Sequence, residues 1–100
     1  MMKVDYISRT SQFKKDYKKA KKQHRDLKIL EKIVTKLANL EEIDARFLDH
    51  ALSGNNRGYR ELHLNPDWLL MYKYKKSKNE KLELVLMLSR LGSHAELFKM

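Results

Sequence analysis

Asn65-Pro66-Asp67 separates two runs of strand length, Tyr59 to Leu64 and Trp68 to Lys75. Three residues cannot carry a crossover, so the two runs must pair as an antiparallel hairpin. The polar stretch Lys75-Lys76-Ser77-Lys78-Asn79-Glu80 leads in the same way into a third run, Leu82 to Arg90. The second half of the chain therefore reads as three strands joined by short turns. The first half has a different period. Lys3 to Ser8 alternates and suits one strand. Thr10 or Ser11 can cap a following helix, whose Phe13, Tyr17 and Ala20 recur at i, i+4, i+7 among lysines. Asp26 offers a second cap, and Leu27, Leu30, Val34 and Leu37, with Ile33 beside them, keep helical spacing to about Asn39.

Between the halves, Glu41 to Asn56 has no sustained period. It ends in the turn residues Ser53-Gly54-Asn55-Asn56, and Arg46 to Leu52 reads as a loop or short helical turn. The predicted order is β-α-α-β-β-β with a short C-terminal helical turn at Ala95 to Phe98. This is an α+β fold, with helices packed on one face of a mainly antiparallel sheet whose other face is partly open. Leu70, Leu84, Leu86 and Leu88 are the expected core. One hundred residues make a single domain, 1–100, with any active site on the surface of its one core.

Charge adds a second constraint. Of the net charge of +9, Met1 to Lys36 contributes twelve Lys/Arg against four Asp/Glu, whereas the rest has ten against nine. A cationic face this local attracts polyanions, nucleic acid before anionic membrane. It also suits a well-solvated helix surface. Lysine outnumbers arginine there, which favours diffuse phosphate attraction over base readout. Cysteine is absent, which removes disulfides, thiolate nucleophiles and soft zinc ligands and fits a reducing cytoplasm. No apolar run is long enough to span a bilayer, and no signal-peptide core follows the N-terminus. The expected setting is soluble and intracellular.

The residues with chemical potential cluster around the predicted strand ends. His63 and Asp67 flank the hairpin turn; His50 lies in the irregular segment, and His94 follows Gly92-Ser93. Histidine suits both proton roles in cleaving an RNA phosphodiester, because its unperturbed pKa lies near neutrality. Each residue also has a plainer reading. His63 fits an exposed strand position, Asp67 a turn carboxylate tying backbone amides, Trp68 a core or sheet-edge anchor, and Phe98 packing for the terminal turn. Arg60 shares parity with Leu62 and Leu64, and Arg90 with Leu86 and Leu88. Each guanidinium there either snorkels to the sheet edge or awaits an anionic partner. No HExxH, Cys/His or EF-hand spacing is present, so no metal site is expected, and no P-loop, dinucleotide fingerprint or Gly-x-Ser-x-Gly elbow suggests a cofactor.

Ordered motifs in the second half carry a family resemblance: Asp49-His50, Leu52-Ser53-Gly54, Gly58-Tyr59-Arg60-Glu61-Leu62-His63, Pro66-Asp67-Trp68-Leu69-Leu70-Met71-Tyr72-Lys73 and Arg90-Leu91-Gly92-Ser93-His94-Ala95-Glu96-Leu97-Phe98. The chain resembles the RelE/ParE superfamily of bacterial toxins, in its YafQ-like branch of ribosome-dependent mRNA interferases. The resemblance implies a type II toxin that cuts mRNA in the ribosomal A site, leaving a 2′,3′-cyclic phosphate and a 5′-hydroxyl. It implies His50, His63, Asp67 and His94 as catalytic positions, with Trp68 and Phe98 lining the site. It also implies a cognate antitoxin as partner beside the 70S ribosome and mRNA, and no membrane or small-molecule cofactor.

On this reading His94 is the general acid, His63 or His50 the base with Asp67 orienting or sharing that role, and Arg60 and Arg90 stabilise phosphate. Lys14, Lys15, Lys18, Lys19, Lys21 and Lys22 dock on ribosomal RNA. An alternative on the same fold is a ParE-like toxin that poisons gyrase without catalysis and needs no histidine cluster.

Overall fold

A computed structural model describes residues 2–78 and 81–98. Its elements run β1 (Tyr6–Arg9), α1 (Ser11–Lys22), α2 (Leu27–Ala38), β2 (His50–Ala51), β3 (Arg60–Asn65), β4 (Trp68–Lys76), β5 (Leu84–Gly92) and α3 (His94–Phe98). The five strands form one sheet in the order β1-β5-β4-β3-β2. The β2–β3, β3–β4 and β4–β5 pairs are antiparallel, and β1 runs parallel beside β5. The expected α+β fold is present. The predicted turn at 75–80 falls partly outside the described residues, which omit Asn79 and Glu80.

Local chemistry sets the helix ends. Thr10 caps α1 by accepting from the Phe13 N–H at 2.9 Å, and its hydroxyl donates to the Ser89 carbonyl at 2.7 Å, which also ties the helix start to β5. Asp26 caps α2 through the Lys28 and Ile29 amides. α1 stops where His24 takes a left-handed φ of 58°, with the Arg25 N–H reaching back to the Ala20 carbonyl.

Strand alternation sorts the sheet into two faces. Leu62, Leu64, Leu70, Tyr72, Leu86, Leu88 and Leu91 pack with Phe13, Ala20, Leu30, Ile33 and Leu37 from the helices into the main core. Of the four expected core leucines, Leu70, Leu86 and Leu88 are fully buried and Leu84 packs on the rim. The second face carries His50, Glu61, His63, Leu69 and Met71 across β2, β3 and β4.

Three local readings change. β1 begins at Tyr6 rather than Lys3, because the Lys3 and Val4 amides bond the Ala38 carbonyl at the end of α2 instead of a strand. In α1 the buried stripe is Phe13, Asp16 and Ala20, leaving Tyr17 39% exposed. Asp16 turns inward because it accepts from the Arg90 guanidinium and, at 2.9 Å, from the Leu91 amide. In β5 the pairing skips Ser89, since Met71 pairs with Arg90 and Tyr72 with Leu88. That bulge shifts the alternation, so Leu91 rather than Arg90 follows Leu88 into the core. The segment expected to be irregular does contain a 3-10 turn, Ala45–Phe47, but also the short strand β2.

Candidate active site

Residues 48 to 50 show how an irregular segment comes to present a histidine. Asp44 caps the Ala45–Phe47 turn, buried Phe47 anchors it, and Leu48 adopts a left-handed φ of 53°. The chain then straightens into β2, where His50 pairs with Glu61. The Leu48 carbonyl lies 2.7 Å from His50 Nδ1. A carbonyl only accepts, so Nδ1 bears the proton of that contact and Nε2 is the atom left to exchange one.

His50 and His63 come together, with ring centroids 6.5 Å apart. Between them stands a residue that sequence reasoning did not select. Glu61 Oε1 lies 3.7 Å from His50 Nε2 and 3.6 Å from His63 Nε2, and the side chain is only 5% exposed. Its Oε2 is buried and meets no hydrogen-bond partner among the described residues. A carboxylate only accepts, so Glu61 can take a hydrogen bond from either ring nitrogen when that nitrogen carries a proton. Parity could have found Glu61: it alternates with Arg60 and Leu62 and so shares His63's face.

His94 opens α3, and its ring lies 4.7 Å from that of Phe98. Both residues keep some exposure. The helix leaves β5 just after Gly92, which shares a rung of the sheet with Leu69 and His63. Adjacent strands lie about 4.8 Å apart, so Gly92 stands roughly 10 Å from His63.

Asp67 occupies the hairpin turn at 78% side-chain exposure. Its amide donates to Asn65 Oδ1 at 2.9 Å, and its carboxylate lies 4.0 Å from the Arg25 guanidinium. Arg25, another residue missed by sequence reasoning, also sits 5.7 Å from the centre of the Trp68 ring.

Three predicted substrate contacts are placed elsewhere. Trp68 is 1% exposed and belongs to the main core, so its ring offers no open stacking surface. Arg60 points to the opposite face from His63, where its Nε donates to Asp49 Oδ1 at 3.3 Å. The Tyr72 hydroxyl donates to the same oxygen at 2.6 Å. Hydrogen bonding to Tyr72 and the charge of Asp49 raise the Arg60 pKa further, while burial, then Asp49, pushes the Tyr72 phenol well above its ordinary value. Arg90 forks onto Asp16. The strand arginines thus have anionic partners from the protein itself.

Further cationic and aromatic groups lie beside His63. A cleft of about 580 Å³ there is lined by Arg46, Phe47, Leu64 and Pro66 among others, with the Arg46 guanidinium 4.6 Å from the Phe47 ring centre. On α1, Lys14, Lys15, Lys18, Lys21 and Lys22 are exposed, and Lys19 is exposed but paired with Glu96 of α3. Among the described residues, no three His, Asp or Glu side chains are arranged to hold a metal ion, and no helix is long and apolar enough to cross a membrane.

Comparison with known proteins identifies the family. Residues 5–99 match the family of the bacterial toxin of type II toxin–antitoxin systems, YafQ. The mRNA interferase toxin YafQ of Escherichia coli strain K12 is 40% identical over 93 residues, covering 92% of this chain and 94% of that protein. A crystal structure of a metal-bound toxin from Helicobacter pylori superposes with a TM-score of 0.80 at 41% identity, over 98% of this chain and 100% of that one. A chain of the E. coli DinJ–YafQ toxin–antitoxin complex gives 0.76 at 38% identity, over 92% and 94%. The chain belongs to the YafQ family of toxins of type II toxin–antitoxin systems.

Proposed function

We propose that this toxin is a ribosome-dependent, metal-independent endoribonuclease that cleaves mRNA in the A site. The observation that carries this reading is the meeting of His50, Glu61 and His63 on one sheet face; α3, which begins with His94, follows Gly92 on the rung of His63. Cleavage proceeds by attack of the ribose 2′-oxygen on the adjacent phosphorus, which expels the 5′-oxygen and leaves a 2′,3′-cyclic phosphate and a 5′-hydroxyl. A base removes the 2′-OH proton and an acid supplies one to the departing oxygen.

His94, exposed at the start of α3 with Phe98 against its ring, is the acid. His50 Nε2 or His63 Nε2 is the base; Glu61 holds the pair in register, and Asp67 orients the nucleotide or shares the base's role. Arg25 and Arg46, rather than Arg60 or a stacking Trp68, are the cations best placed to meet RNA phosphates. The exposed lysines of α1 other than Lys19, whose charge is taken up by Glu96, dock on ribosomal RNA. The partner that restrains the toxin is its antitoxin, as the E. coli YafQ is held in complex with DinJ.

Purified toxin added to ribosomes translating a defined mRNA should cut that mRNA in the A site, in EDTA as well as without it. Fragments ending in 2′,3′-cyclic phosphate are the expected product. Intact mRNA together with inhibited gyrase supercoiling would replace this reading with the non-enzymatic one, and loss of cleavage in EDTA would end its metal-independent form. Changing Lys14, Lys15, Lys18, Lys21 and Lys22 to glutamine should weaken ribosome binding and flatten its salt dependence without unfolding the protein.

A further inference from the structure

We propose that Lys19 and Glu96 are positioning residues for His94, an inference that rests on the nuclease reading above. α3 is five residues long, too short to hold its shape alone, and Leu97 is its one buried side chain. Three ties fix it to the body of the protein. Leu97 packs inward; Ser93 and Glu96 form a reciprocal cap; and Lys19 of α1 bonds Glu96.

The cap and the ion pair share one carboxylate. Glu96 Oε1 accepts from the Ser93 amide at 2.9 Å, the Glu96 amide donates to Ser93 Oγ at 3.2 Å, and Oε2 takes the Lys19 ammonium. Glycine at 92 leaves room for this, since a Cβ there would stand 3.2 Å from Glu96 Oε1. Lys19, then the Ser93 amide, holds the Glu96 carboxyl down at about 2. The carboxylate is therefore charged at neutral pH.

His94 and Phe98 ride on the same five residues, so whatever fixes α3 fixes the ring that protonates the leaving oxygen. The pair is also the one direct link from the lysine-rich helix to α3 among the side-chain bonds of the described residues. Lys19 thus does different work from its neighbours: its charge is committed within the molecule, whereas Lys18 and Lys22 are exposed and form no ion pair with another described residue.

The test compares single-turnover mRNA cleavage with ribosome affinity for four variants, with His94→Ala and Lys18→Met as references. Glu96→Ala, which loses both ties, should slow cleavage by about 10²-fold, the scale of a roughly 1 Å misplacement. Glu96→Gln keeps an amide oxygen for Ser93 and should slow it less. Lys19→Met should slow it about three- to tenfold, as befits one half-exposed ion pair, while Lys19→Arg restores the parental rate. Ribosome affinity should stay parental in all four. The inference is overturned if Glu96→Ala and Lys19→Met cleave at the parental rate while His94→Ala does not, or if Lys19→Met loses ribosome affinity as fully as Lys18→Met. Parental cleavage by His94→Ala would remove the nuclease reading and this inference with it.

Discussion

Arg60 and Glu61 are neighbours on β3 and opposites in their surroundings. Arg60 faces the helices, where Asp49 and Tyr72 take up its charge in a closed set of hydrogen bonds. Glu61 faces the histidines, buried, with one oxygen unpartnered among the described residues and the other shared at long range between two imidazoles. The strand thus carries a closed ion-pair set on one side and a carboxylate between two imidazoles on the other, a single residue apart.

Substituting across that divide should give effects of different kinds. The largest is expected on the histidine face, where His63→Ala should lower single-turnover cleavage about 10²- to 10⁴-fold while changing stability by less than about 1 kcal/mol. Parental cleavage alongside a large drop in melting temperature would make His63 structural and break the contrast.

Leu70→Ala, at a fully buried position on the covered face, should destabilise the fold by about 2–5 kcal/mol in urea denaturation. Enough folded protein at low temperature should retain the parental cleavage rate per folded molecule. A smaller step is Tyr72→Phe, which removes the hydroxyl from Asp49 and should cost about 1–2 kcal/mol; no change would show that the Asp49–Arg60 pair closes without it.

The smallest effect is electrostatic. The Glu96 carboxyl is depressed from 4.5 to about 2, so its contribution is complete above pH 4.5 and disappears as pH falls toward 2. The side chain is 30% exposed and the partner more so, which keeps that contribution modest. Its carboxyl carbon should titrate near pH 2 by NMR; a midpoint near 4.5 would mean that Lys19 does not hold it.

Much of the architecture was written in local patterns. The short turn at Asn65 to Asp67 dictates the β3–β4 hairpin, and the caps at Thr10 and Asp26 place both helices within a residue or two. What escaped was what depends on partners distant in sequence. Nothing around Asp16 announces that Leu91 and Arg90, some seventy-five residues later, will draw it inward and leave Tyr17 outside. The bulge at Ser89 has no signature of its own, so the parity of Arg90 was misread. Trp68 illustrates the same limit, since a ring beside a turn can be a platform or an anchor until the packing decides. For the site, the three histidines were legible as residue types beside strand ends. The strand β2 was not, because two residues make no period, and with it went the cue that His50 is brought opposite Glu61.

On the reading proposed above, the imidazoles of His50, His63 and His94 move protons during RNA cleavage. Single-turnover cleavage of mRNA on programmed ribosomes by His94→Ala tests it most directly, with ribosome affinity measured in parallel. Affinity should stay parental and the rate should fall about 10²- to 10⁴-fold. Cleavage at the parental rate would contradict it.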